Sequence, residues 1–70
     1  MKVHTIKVYI DLEVYIFRFT AITEVQARRT AGMFAADPEL NFTWRHGAMV
    51  CKAIRDIVWK EQYGHSEQKI

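Results

Sequence analysis

Every even-numbered residue from 6 to 16 is aliphatic: Ile6, Val8, Ile10, Leu12, Val14 and Ile16. A two-residue period places such side chains on one face of a β-strand, and the β-branched and aromatic residues around them suit a pleated surface. The odd positions hold Lys7, Tyr9, Asp11, Glu13, Tyr15, Phe17 and Phe19, so the opposite face is partly apolar too. One strand of this length would far exceed the usual ~5 to 6 residues. The segment is therefore predicted to form an antiparallel hairpin turning near Asp11-Leu12-Glu13. With Leu12 at the centre, Ile10 pairs with Val14, Val8 with Ile16, and Tyr9 meets Tyr15 on the other face. No Gly, Asn or Pro stands at the turn to ease its backbone.

Two helices should follow. Thr23 and Gln26 have the spacing of a capping box, with Ile22 just outside it. Ala27, Ala31, Phe34 and Ala35 recur at helical spacing, and the small residues would let the helix approach the sheet closely. Arg28 and Arg29 fall off that stripe. Pro38 disfavours helical geometry at Asp37, which ends the first helix there. After the linker Asp37-Pro38-Glu39-Leu40-Asn41, either Asn41 or Thr43 can cap a second helix. Its apolar residues are Val50, Cys51, Ile54, Ile57 and Val58; it continues to Tyr63 and stops at Gly64. The predicted architecture is α+β, ββαα, with a single domain over 1–64 and a loose tail over 65–70.

Seventy residues with one cysteine make stability the first problem for such a chain, since a lone core of this size rarely yields more than about 3 to 5 kcal/mol. Cys51 cannot staple the monomer by itself. Nine aromatic residues and a half-apolar composition argue against disorder. No uninterrupted apolar run, Val14 to Phe17 among them, exceeds four residues, far short of the ~18 residues of a membrane helix. Polar residues thread the segment Met1-Lys2-Val3-His4-Thr5, unlike a secretion signal, so a cytoplasmic chain with no membrane partner is expected.

No motif is diagnostic of an activity. Cys51 and His46 lie five apart, about 140° around a helix, and so do not share a metal-binding face. Nucleophilic catalysis by Cys51 would need a base and a pocket that no signature supplies, and Cys51 reads instead as a small buried hydrophobe. The carboxylates show no pairing suited to acid-base work, and Gly32, Gly47 and Gly64 match no phosphate loop. The expectation is a non-enzymatic protein with no metal and no cofactor.

Surplus apolar surface is the more informative feature. Two helices can cover one face of a hairpin, and both faces are greasy, so another chain should shelter the second. A second copy, joined edge to edge into a four-stranded sheet or face to face, is the simplest partner; a larger protein is the alternative. On the second helix Lys52, Arg55, Trp59 and Tyr63 fall three or four residues apart and include the types that anchor interfaces. The predicted protein interface is therefore Tyr9, Tyr15, Phe17, Phe19, Lys52, Arg55, Trp59 and Tyr63, in a small homodimeric regulator or inhibitor of a larger macromolecule.

Two other readings compete. One is a nucleic-acid-binding regulator of ribbon-helix-helix-like layout, using Arg28, Arg29, Arg45, Lys52 and Arg55. The groove face of such a ribbon needs polar side chains, yet only Arg18 stands out among the hairpin's apolar residues as a base reader. The other is an accessory subunit folded only within a larger complex.

Overall fold

The computed structural model describes residues 2–63. Strand β1 (His4–Ile10) and strand β2 (Glu13–Phe19) form an antiparallel hairpin, followed by helix α1 (Glu24–Ala36) and helix α2 (Trp44–Tyr63). The class is α+β and the order ββαα. The sequence boundary at Gly64 and the tail 65–70 lie outside the described residues.

The hairpin register differs from the expected one by a single step. Ile10 faces Glu13, Tyr9 faces Val14, Val8 faces Tyr15 and Ile6 faces Phe17. The turn is thus two residues long, Asp11-Leu12, with Asp11 in the left-handed region at φ 54°. A two-residue loop changes the parity of residues across the hairpin, whereas a turn centred on Leu12 would have preserved it. Because side chains alternate, the odd residues of β2 share a face with the even residues of β1. Ile6, Val8 and Ile10 therefore join Tyr15, Phe17 and Phe19 on the covered face. Val14 and Ile16 turn outward with Tyr9, 48%, 47% and 73% exposed. This register gathers three aromatic residues beneath the helices, whereas the expected one would have split them from the aliphatic set.

Helix α1 begins after Thr23, as the spacing predicts, but the capping box does not form. The Thr23 hydroxyl instead accepts the Thr20 backbone N–H at 2.9 Å, while the Thr20 hydroxyl accepts from the amides of Ile22 and Thr23. Only residues 20–23 separate strand from helix, and both hydroxyls serve that reversal. A reciprocal box closes α2 instead. Thr43 N–H donates to His46 Nδ1 at 3.1 Å, and His46 N–H lies 3.5 Å from the Thr43 hydroxyl. A histidine here takes the role usually given to Glu or Gln.

Ala27 and Ala31 are buried, with Phe34 and Ala35 half-buried. The small residues bring α1 close to α2 rather than to the sheet alone: a Cβ added at Gly47 would lie 3.4 Å from Ala35 Cβ and 3.5 Å from the Ala31 carbonyl. Cys51, half-buried at this seam, points its thiol toward the Arg28 carbonyl at 3.9 Å. Arg28 is not off the packed side as expected. Its Nε is buried 3.6 Å from the carboxylate of Glu24, one helical turn away.

The core centres on Phe42, a linker residue that no periodicity singles out. Its ring lies 4.9 Å from that of Tyr15, 5.8 Å from Phe17 and 5.9 Å from Phe34. Such tilted rings are favourable beyond the area they bury. Ile54, Val50 and Val58 complete the core from α2. At the open end of the hairpin His4 packs on Phe19 and meets the Glu61 carboxylate at 2.6 Å, tying β1 to the last turn of α2.

Candidate protein-docking surface

The eight residues predicted for the interface separate into buried and exposed groups. Tyr15, Phe17 and Phe19 are buried within the monomer, at 7%, 2% and 2% exposure, and offer nothing to a partner. This corrects the sequence-based expectation. The hairpin register turns these rings under the helices, so surplus aromatic surface becomes core. Tyr9 remains outside, on the uncovered face with Val14 and Ile16; the cationic Lys7 and Arg18 share that face, Arg18 at its far end opposite Thr5.

The remaining four residues lie on the exposed side of α2, where Arg55, Trp59 and Tyr63 line one open cleft of about 350 Å³. Trp59 is half-exposed, so it does not finish the monomer core. Its ring packs on Tyr63 at 4.2 Å between centroids and forms an aromatic wall. Glu24, at the start of α1, faces this wall across the cleft, with Asp56 beside it. Arg55 is exposed and makes no ion pair among the described residues. Lys52 lies one turn earlier, outside the cleft, and pairs with Asp56 at 3.2 Å. The cleft thus combines flat aromatic surface with an unpaired guanidinium and a carboxylate. It can hold an apolar side chain and exchange charged hydrogen bonds at its rim.

The five basic residues of the nucleic-acid reading do not make one free patch. Arg28 is held against Glu24 and Lys52 against Asp56, while Arg45 sits 5.8 Å over the ring of Trp44. Arg29 is exposed on α1 and Arg55 belongs to the cleft. Two of the five cations are already matched by carboxylates, which reduces the charge available to phosphates.

One ionisable group is perturbed, on the covered face of the hairpin. Burial pushes the Tyr15 hydroxyl above its ordinary value of 10.0, and its hydrogen bond to the Glu13 carboxylate acts in the same direction. The Asn41 amide also donates to that carboxylate, at 3.3 Å, which anchors the linker to the hairpin. This arrangement orders the chain around Phe42. Among the described residues no group of three or more His, Cys, Asp or Glu could hold a metal ion, and no helix is long and apolar enough to cross a membrane.

Sequence reasoning missed a second groove, of about 340 Å³, between β1 and α2. Ile6 to Tyr9 line it from the strand; His46, Met49, Val50 and Ala53 line it from the helix. Its signal was present in the exposed Met49, at an α2 position facing the strand edge, but only the tertiary arrangement shows that the strand edge beside it is open. Comparison with known protein families, with characterised proteins and with solved structures finds no match.

Proposed function

We propose that this chain is a small, non-enzymatic protein-interaction module that acts as a homodimeric regulator or inhibitor by occupying part of a larger protein. The observation that carries this reading is the convergence of Arg55, Trp59 and Tyr63 on one open cleft. Large aromatic side chains left half in water, beside an unpaired arginine, are the composition of an interface anchor. The uncovered sheet face, with Tyr9, Val14 and Ile16 exposed, adds surface that a neighbour would shelter.

The test is affinity capture with paired baits: the wild-type chain and a variant carrying Trp59→Ser with Arg55→Glu. The module retains a protein that the variant loses at matched folding, judged by circular dichroism. Equal retention by both baits, or none across several lysates and salt conditions, removes the reading.

A further inference from the structure

We infer that β1 pairs with β1 of a second copy about a two-fold axis at Val8, making a four-stranded sheet with both α2 helices on one side. The inference deepens the dimeric part of the function just proposed and rests on it only there.

Three observations converge on this edge. First, the two-residue turn makes Ile10 and Glu13 a hydrogen-bonded pair, and ladder alternation then directs the amides and carbonyls of even β1 residues toward β2. Those of Thr5, Lys7 and Tyr9 point away from β2. Among the described residues no backbone hydrogen bond outside the hairpin reaches them. A sheet of two strands with such an edge is a template for a further strand.

Second, the groove beside this edge is shaped for the side chains of that strand. Four consecutive β1 residues line it, which is what an open backbone edge presents, and Met49, Val50 and Ala53 of α2 supply an apolar roof. A strand added to β1 projects alternate side chains toward the helices. In a second copy these are Ile6, Val8 and Ile10, the half-buried aliphatic set of β1 itself. The same two-fold operation brings the exposed Met49 toward its counterpart.

Third, charge selects the register. Centring the pair on Lys7 would oppose two ammonium groups, which is unfavourable. Centring it on Val8 sets Lys7 opposite Tyr9 of the other copy on the outer face, a cation beside an aromatic ring. Ile6 then faces Ile10, and Thr5 faces Asp11. The most exposed aromatic residue of the hairpin thereby gains cover, and no like charges stand directly opposite one another. The other edge is less open, because α1 and the linker around Phe42 and Asn41 approach β2.

Single cysteines placed at residues 6, 7, 8 and 9 of the full chain, each with Cys51→Ser, read the register under mild oxidation. Opposed residues of a non-hydrogen-bonded antiparallel pair lie about 4.5 Å apart at Cα, within disulfide range. Val8→Cys should cross-link at least tenfold faster than Ile6→Cys, Lys7→Cys or Tyr9→Cys. Light scattering over a dilution series should give the mass of two chains for the wild type and of one for Tyr9→Pro, which removes an outward amide without touching the hairpin ladder. Fastest linkage at residue 6, 7 or 9, or a single-chain mass at all concentrations, overturns the inference. Should Tyr9→Pro fail to fold, the cross-linking order decides alone. A single-chain mass with capture intact at Trp59 would sink the dimer and spare the interaction module; a dimer that captures nothing would do the reverse.

Discussion

Phe42 shows how much one side chain can hold in a chain of this size. It is 1% exposed, sits between the hairpin and α1, and packs against the rings of Tyr15, Phe17, Phe34 and His46. Truncating a buried phenylalanine costs about 3 to 5 kcal/mol, comparable with the whole stability expected of so small a core. Phe42→Ala should therefore be largely unfolded at 25 °C, read by loss of the near-ultraviolet dichroism of the aromatic cluster. Tyr15 makes a second prediction at this scale. Its hydroxyl ionises later in the folded chain than in the unfolded one, since burial and the Glu13 carboxylate both favour the neutral form. Its contribution to stability is complete below pH 10 and is lost as pH rises through the higher folded value. Urea midpoints should fall with pH above 10 for the wild type and more gently for Tyr15→Phe. Asp11 is a residue under strain, at φ 54°, where an L side chain is disfavoured. A β-branched Asp11→Val should cost about 1 to 2 kcal/mol, measured by denaturant unfolding.

Among the elements, the two helices reach their starts by different means. Thr23 stands at the N-terminus of α1 with its hydroxyl committed to the preceding turn, while Thr43 and His46 share the reciprocal cap of α2. Thr43→Ala should lower stability by about 1 kcal/mol, and Thr23→Ala should act by loosening residues 20–23 rather than by uncapping α1. His46→Gln preserves an acceptor three residues into the helix and should lose less than His46→Ala, a difference that amide exchange at the first turn of α2 reports. The capping-box spacing was legible at residues 23 and 26, yet spacing states only what two side chains can reach. A competing acceptor or donor on a short neighbouring turn decides whether they do. The alanine stripe was legible for the same local reason, but its partner was not: Gly47 on α2 is what lets α1 and α2 approach, and nothing in a single helix names its neighbour.

At the scale of the molecule, covered and uncovered surfaces divide the candidate residues by role. Tyr15, Phe17 and Phe19 stabilise the fold, whereas Arg55, Trp59 and Tyr63 surround a cleft and leave the core untouched. Trp59→Ser should shift the unfolding free energy by no more than about 0.5 kcal/mol, as surface changes usually do, while abolishing capture of a partner. The nucleic-acid alternative is removed by undetectable binding to duplex and single strands at about 50 mM salt, where phosphate contacts are strongest. Measurable binding that falls steeply with salt would restore it.

The types and order of the elements were determined by the sequence alone. A two-residue aliphatic period, a helical stripe of alanines and a proline after Asp37 act over a few residues, where side-chain direction follows directly from the backbone. Tertiary structure decided which faces met. Whether the Asp11-Leu12 turn holds two residues or three changes nothing in either strand's own pattern, yet it reverses which side of β2 lies against β1's aliphatic face. That choice follows from burying Tyr15, Phe17 and Phe19 around Phe42, a contact between segments that local periodicity does not encode.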